Sequence, residues 1–133
     1  MSDPLYEAGM EVRRAVLGDA HVDAAVARTS EFTEPFQDFI TRYAWGTIWA
    51  RDGLDRRTRS AITLALLCAL GREHEIAMHV RGALRNGLEP AEIAEVLLHT
   101  AVYAGVPVAN RAFAIAEDAL REAGLVDPPP ERS

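Results

Sequence analysis

The apolar positions of this chain recur at helical spacing in six segments, each bounded by residues that begin or end helices. Proline near the start and glycine at the end mark most segments, as in the first, which runs from Asp3-Pro4 to Gly18. No stretch alternates apolar and polar residues as a half-buried strand does. The pattern therefore predicts an all-α fold with six helices, over about residues 4–18, 33–51, 55–71, 72–86, 89–105 and 107–124.

The segments outside these helices complete the predicted organisation. Residues 18–31 are interpreted as a connector with at most one short turn, at Val22–Ala27. The proline-rich residues 127–133 are predicted to be a disordered tail. A single domain is accordingly predicted over residues 1–126, with its core at about residues 34–122.

The second predicted helix carries two apolar stripes. Phe36, Phe39 and Tyr43 share one side, whereas Trp45 and Trp49 follow each other at i, i+4 on roughly the opposite side. Because a helix of a monomer needs one apolar stripe, the second stripe indicates that a further surface covers it. We interpret the tryptophan side as a subunit interface that also suits a pocket between subunits. Packing inside the chain is the alternative.

The third predicted helix is apolar on all sides from Ala61 onward, which is typical of a helix buried by its neighbours. Cys68 lies in this run and is interpreted as a small buried residue rather than a reactive thiol. The first turn instead holds Arg56, Arg57 and Arg59, at the end where the helix dipole disfavours cations. Two interpretations of these arginines are open: solvated charges, or binding of an anion or an acidic partner.

The fourth predicted helix has the densest cluster of side chains suited to chemistry. Arg72, Glu75 and His79 fall within about 80° of one another around the helix axis. Glu75 and His79 are i, i+4 neighbours able to form a hydrogen bond. Three polar side chains are predicted to point away from this face: His74, Arg81 and Arg85.

Three interpretations of this cluster are open. The first is a surface ion pair, and the second is an acid–base site in which Glu75 orients His79. The third is a metal site that adds a ligand such as His99, although no His-Glu-x-x-His pattern is present. His99 lies on the polar side of the fifth predicted helix, where an ordinary exposed histidine is the simpler interpretation.

The amino-acid composition excludes several classes of catalysis and binding. All 14 basic residues are arginine, and the absence of lysine excludes Schiff-base catalysis and a Walker A phosphate loop. A net charge of −6 disfavours nucleic-acid binding. The first residues lack a signal-peptide pattern, and no apolar run is long enough to span a membrane. With one cysteine and no internal disulfide, we expect a cytoplasmic protein.

Four stretches form a recognisable set: Ile40–Gly46, Gly53–Ser60, Glu75–Arg81 and Glu95–Pro107. In order and spacing they resemble the carboxymuconolactone decarboxylase family of the protocatechuate branch of aromatic catabolism. The resemblance covers about residues 8–122. It implies a six-helix bundle of the alkylhydroperoxidase D-like type and a homo-oligomer built from trimers, often a hexamer.

Peroxidases of the wider superfamily use a Cys-x-x-Cys-x-x-x-His motif on the corresponding helix. The histidine of that motif falls at His79, but its two cysteine positions fall at Arg72 and Glu75. Without the two thiols, dithiol peroxidase chemistry is not available.

The resemblance implies cofactor-free decarboxylation of 4-carboxymuconolactone to 3-oxoadipate enol-lactone. The lactone itself accepts the electrons released with CO2, so the protein needs to bind a dianion, stabilise the dienolate and protonate a ring carbon. His79, oriented by Glu75, is the expected proton donor, with His74 and His99 as second choices. Expected substrate-binding residues are Arg72, Arg81, Arg85, Arg42 and Arg59, together with Trp45 and His99.

Two other functions stay open at this point. The chain could be a non-catalytic oligomeric binding protein of the same fold, or a decarboxylase or isomerase of a different lactone. Turnover of the lactone by purified protein without added cofactor separates these hypotheses.

Overall fold

The structure, a computed structural model, describes residues 3–128, and every regular element in this range is helical. The all-α prediction is thereby confirmed. The helices are α1 (Pro4–Leu17), α2 (Asp19–Ala27), α3 (Glu34–Ile40), α4 (Arg56–Ala69), α5 (Glu73–Arg85), α6 (Pro90–Ala104) and α7 (Val106–Glu122). A π-helix, Thr41–Trp49, continues α3 without a break. Within the described range there are thus seven α-helices instead of the six predicted.

The additional helix is α2, which occupies most of the predicted connector. Val22 is completely buried, and Arg14 of α1 forms ion pairs with Asp19 and Asp23 at 3.1 and 2.8 Å. The connector prediction is therefore wrong. A nine-residue helix that buries only two residues gives too short an apolar repeat to be recognised by periodicity.

The chain divides into two compact units, Met1–Arg59 and Ser60–Ser133. In the N-terminal unit, α1 packs along the π-helix, and the buried apolar residues include Val12, Val16 and Trp45. The prediction of one domain over residues 1–126 stays a prediction. The predicted tail falls mostly on residues 129–133, which lie outside the described residues.

The two stripes of the second predicted helix have the reverse of their expected environments. Trp45 is buried inside the N-terminal unit and stacks on Trp49 with 5.0 Å between ring centroids, whereas Phe36, Phe39 and Tyr43 are all more than half exposed. Trp45 thus follows the alternative of packing within the chain, not the preferred subunit interface. Helical periodicity does not determine which of two apolar stripes the chain itself covers.

The C-terminal unit has a continuous core formed by one face of each of its helices. Leu64 and Cys68 of α4 pack with Ile76 and Val80 of α5. Helix α6 adds Ile93 and Leu97, and α7 adds a stripe of small residues: Ala109, Ala112, Ala116 and Ala119. These residues hold α5 firmly in place, so its first turn starts from a rigid support.

Helix α4 is not buried on all sides, contrary to the prediction. Leu64 and Cys68 are each 1% exposed, but Ile62, Leu66 and Leu70 are 44–61% exposed on the other face. An apolar sequence on both faces does not distinguish a helix covered by its own chain from one that leaves an apolar face open. Among the described residues, no helix is long and apolar enough to cross a membrane.

Candidate active site

The fourth predicted helix is α5, and it begins with a sharp change of backbone direction. Gly71 has a φ of +68°, and Arg72 is the N-cap residue with non-helical φ and ψ of −86° and 66°. Glu73 and Glu75 follow in the first turn, where carboxylates interact favourably with the helix dipole. Arg72 and Glu75, two members of the cluster found in the sequence, therefore lie at an open helix end rather than on the side of a helix.

A cavity of about 590 Å³ lies at this helix end. Its lining residues come from the start of α5 and from α7: Gly71, Arg72, Glu73, His74, Glu75, Arg111 and Ile115. His74 is thus beside Arg72 and Glu75, and His79 is not among the lining residues. The projection of a regular α-helix predicts the opposite, with His79 beside Arg72 and Glu75 and with His74 on another side. It fails at the first turn, where consecutive side chains spread around the end of the helix.

Arg111 is a cavity residue that the sequence analysis did not identify. Its Nε donates a hydrogen bond of 2.7 Å to the Glu73 carboxylate, and its side chain is 63% exposed. Arg111 lies on α7, 38 residues from Glu73, and no local motif marks it. Arg72 and Arg111 together give this cavity two guanidinium groups, a type of group that suits the recognition of carboxylates, and the one on Arg111 is paired with Glu73.

His79 lies two turns into α5. The buried residues of this helix are Ile76, Val80, Gly82 and Ala83. The imidazole is partly buried, and its Nδ1 atom is enclosed completely. Glu75, one turn earlier on the same helix, is exposed. Burial by the helix packing fixes the imidazole in this structure, and its orientation by Glu75 stays a prediction.

The other predicted residues of the C-terminal unit are dispersed. Arg81 and Arg85 are exposed, as predicted, and Arg81 lies 4.0 Å from the carboxylate of Glu122. His99 is exposed on α6, where its ring lies 5.3 Å from that of Tyr103. None of these lines the cavity at the start of α5.

Three predicted site residues belong to the N-terminal unit: Arg42, Trp45 and Arg59. Arg42 forms ion pairs with Asp3 and Asp38, and these two carboxylates raise the pKa of its guanidinium. Arg59 is partly buried and donates a hydrogen bond to the carbonyl oxygen of Arg51. The charge of Arg42 is therefore already neutralised within its own unit.

Thiol and metal chemistry have little support from the described residues. Cys68 is 1% exposed, and its burial raises the pKa of the thiol, as expected for a core residue. In the part of the chain that the structure describes, no three histidine, cysteine or carboxylate side chains are grouped to hold a metal ion.

Comparison with known proteins assigns this arrangement to a family. The model of the carboxymuconolactone decarboxylase family matches residues 34–118, which include the π-helix and α4 to most of α7. The chain belongs to this family. The resemblance found in the sequence is thereby confirmed, and the cavity at the start of α5 lies within the matched region.

Two relatives match nearly the whole chain. A 4-carboxymuconolactone decarboxylase of Acinetobacter baylyi is 45% identical over 120 residues, or 90% of each chain. The nitrosuccinic acid decarboxylase npaB of Metarhizium robertsii is 41% identical over 118 residues, or 89% of this chain and 82% of that protein. A 4-carboxymuconolactone decarboxylase of Pseudomonas putida is 58% identical over 41 residues, or 31% of this chain and 85% of that sequence.

Proposed function

We propose that this chain is an enzyme that decarboxylates 4-carboxymuconolactone to 3-oxoadipate enol-lactone without a cofactor, in the protocatechuate branch of aromatic catabolism. The observation that carries the proposal is the 45% identity to the Acinetobacter enzyme over 90% of both chains. The family model, which matches residues 34–118, agrees with a decarboxylase. The proposed compartment is the cytoplasm.

The substrate provides its own electron sink. When the carboxylate next to the ring oxygen leaves as CO2, its bonding electrons delocalise through the ring double bond onto the lactone carbonyl. Protonation of the ring carbon beside that carbonyl then gives the enol-lactone. The protein contributes carboxylate binding, stabilisation of the dienolate and a proton, and a chain without lysine is able to supply all three.

The cavity at the start of α5 supports the binding step. Arg72 and Arg111 provide guanidinium groups for the acetate arm of the substrate, and Ile115 provides an apolar wall. We place the departing carboxylate toward the apolar wall, because a strong clamp on it would hold it back, whereas desolvation favours loss of CO2. Arg81 and Arg85 are secondary candidates, since both are exposed on the same helix.

His79 is the proposed proton donor, and Glu75 its proposed orienting residue. The enclosed Nδ1 of His79 supports this assignment, because an imidazole held in one orientation presents its other nitrogen to a fixed point. His74 is the alternative donor, and the cavity geometry favours it, since His74 lines the cavity and His79 does not. Replacing each histidine in turn and measuring kcat distinguishes the two assignments.

The relative named for nitrosuccinic acid supports a second candidate substrate. Nitrosuccinic acid is a dicarboxylic acid with a nitro group, and loss of the carboxylate beside that group leaves electrons that the nitro group accepts. Both reactions thus need a site for a dianion and a proton donor, but no cofactor. The 41% identity over 89% of this chain is the observation that favours testing this substrate.

We also propose a homo-oligomer built from trimers, in the form of a hexamer. The support is the amount of apolar surface left open on the C-terminal unit. Val102, Tyr103 and Val106 are 73–81% exposed around the end of α6, and Leu66 of α4 and Leu70, just after α4, are more than half exposed. Large open apolar surfaces of this kind mark subunit contacts.

The direct test is turnover by the purified protein in buffer with EDTA and no added cofactor. Loss of the ultraviolet absorption of 4-carboxymuconolactone reports the reaction, and nitrosuccinate is assayed in parallel by release of CO2. We expect rapid turnover of the lactone and slower turnover of nitrosuccinate. No turnover of the lactone would overturn the proposal. A preference for nitrosuccinate would replace the lactone as substrate but leave the reaction type intact.

A further inference from the structure

The N-terminal unit contains a second cavity, of about 640 Å³. It lies among α1, α3 and the start of the π-helix, and its lining includes Tyr6, Met10, Arg13, Gln37 and Thr41. None of its lining residues lines the cavity at the start of α5. Its charges have an unusual arrangement, with a cation at the buried floor and carboxylates at the exposed rim.

The cation at the floor is Arg13, which is only 5% exposed. Its Nη1 donates a hydrogen bond of 3.3 Å to Thr41 Oγ1, and its Nη2 donates one of 3.1 Å to Gln37 Oε1. Both acceptors are neutral. Among residues 3–128, no carboxylate lies within ion-pair distance of Arg13, and its buried Nε has no acceptor.

A buried guanidinium without a counter-ion is rare in proteins, because burial removes water from a charge that arginine retains at neutral pH. That desolvation also lowers the pKa of Arg13 below its ordinary value. Buried charges are usually paired, so the floor of this cavity has the features of a place where an anionic group binds.

The rim has the opposite charge. Glu7 and Glu34 line the cavity and are exposed, and neither carboxylate has an ion-pair partner among the described residues. Arg42 also lines the cavity, but Asp3 and Asp38 already neutralise it. A free anion approaching Arg13 would therefore pass two unpaired carboxylates that repel it.

We infer that this cavity binds a small zwitterionic amino carboxylate, with its carboxylate on Arg13 at the floor and its ammonium group at Glu7 and Glu34 on the rim. This orientation gives the buried cation a counter-charge and places one ammonium group beside the two rim carboxylates. A simple carboxylate satisfies only the floor, and a simple amine satisfies only the rim. The inference is independent of the decarboxylase reaction, since it concerns other residues and another ligand.

The test compares amino carboxylates of increasing length with molecules that carry only one of the two charges. The melting temperature of the wild-type protein is measured with glycine, β-alanine, γ-aminobutyrate and 6-aminohexanoate, and calorimetry then measures affinity for the best of them. Butyrate and n-butylamine serve as the matched single-charge controls. We expect stabilisation by at least one amino carboxylate and by neither control. Equal stabilisation by butyrate, or no effect of any compound, would overturn the inference.

Variants then locate the binding. Arg13→Met keeps an unbranched side chain of similar length, and we expect it to weaken binding roughly 10- to 100-fold, as for loss of a charged hydrogen bond. Arg28→Met, which removes an exposed arginine that does not line the cavity, is the control and should bind normally. Glu7→Gln with Glu34→Gln changes only exposed positions, so folding is preserved, and it should abolish the preference for γ-aminobutyrate over butyrate.

Two results would contradict the assignment. If Arg13→Met binds the amino carboxylate as the wild type does, the ligand binds elsewhere. If the rim double variant retains the full preference for the amino carboxylate, the rim carboxylates do not contact its ammonium group. Lactone turnover measured on the same samples should be unchanged in every variant, which keeps this test separate from that of the proposed function.

Discussion

Gly9 of α1 faces Gly46 of the π-helix so closely that neither position has room for a side chain. A Cβ on Gly9 would overlap the carbonyl oxygen of Thr41 and lie 2.9 Å from the backbone nitrogen of Gly46. A Cβ on Gly46 would lie 2.7 Å from the carbonyl oxygen of Leu5. Glycine costs a helix stability, so its presence at both positions reflects this backbone contact. The contact fixes α1 against the π-helix.

We expect Gly9→Ala to destabilise the protein strongly, because the added methyl group meets backbone atoms that cannot rotate away. Overpacking of this kind costs about 3 kcal/mol. Thermal unfolding followed by circular dichroism should show a melting temperature lower by roughly 10 °C. Gly53→Ala is the control, since no atom lies within 4 Å of the added Cβ. Equal melting temperatures for the two variants would contradict the close contact.

The ends of the helices could be predicted from the sequence because they depend on local backbone chemistry. The glycines that follow α1, α4, α5, α6 and α7 have a positive φ, for example 68° at Gly71 and 104° at Gly105, whereas Gly53, expected to end the second predicted helix, does not. The start of α6 at Glu89-Pro90 is likewise local, since Glu89 and Glu92 form a capping box there. Signals of this kind act within a few residues, so one sequence suffices to recognise them.

The remaining features depend on contacts between residues distant in sequence. Trp45 is buried in the unit in which α1 packs along the π-helix, and periodicity does not show which of two apolar stripes such a contact covers. Arg111 joins the candidate site only because α7 packs on α5. Arg13 appears in the sequence as one of two adjacent arginines, and its burial follows from contacts with Gln37 and Thr41.

The proton donor is tested by replacing the histidines one at a time. If His79 donates the proton, His79→Ala should lower kcat roughly 100-fold or more, since loss of general acid catalysis has that size. Glu75→Gln should lower kcat less, and His99→Ala, remote from the cavity, should have little effect. A wild-type kcat in His79→Ala combined with a large loss of kcat in His74→Ala would show that His74, not His79, donates the proton.

Substrate binding is tested at Arg111. We expect Arg111→Met to raise KM roughly tenfold with a smaller change in kcat, because one charged contact to the acetate arm is lost. Arg121→Met is the matched control, since Arg121 lies on the same helix but pairs with Glu117 and Asp118 outside the cavity. Steady-state kinetics on both variants make the comparison. Equal KM values for Arg111→Met and the wild type would remove Arg111 from the proposed site.

Asp55 gives a prediction for the dependence of stability on pH. The backbone N–H of Thr58 donates a 2.7 Å hydrogen bond to the Asp55 carboxylate, which lowers the pKa of Asp55 below its ordinary value of 3.8. A carboxyl whose pKa is lower in the folded state stabilises the protein above its unfolded pKa. This stabilisation is lost as the pH falls through the folded pKa.

We therefore compare urea unfolding of the wild type and Asp55→Asn, which keeps a capping side chain but does not titrate. The wild type should be the more stable at neutral pH, and the difference should shrink as the pH falls below about 4. The pKa of Asp3 is also lowered, by its hydrogen bond to Arg42. Because Asp3 titrates in both proteins, it does not contribute to the difference in stability between them. A stability difference that grows in acid would contradict the role of Asp55.

The oligomer is tested on the open face of α4 rather than at the tryptophans. Leu66 is 54% exposed in the single chain, and we expect Leu66→Glu to dissociate the oligomer while keeping its helical circular dichroism, since the substituted position is not in the core. Trp45 is 6% exposed, so Trp45→Glu should instead unfold the N-terminal unit by burying a charge. Light scattering on the wild type and Leu66→Glu makes the comparison, with Glu117→Gln, an exposed change on α7, as the control. A monomeric wild type, or an oligomer that survives Leu66→Glu unchanged, would show that this face of α4 is not a subunit contact.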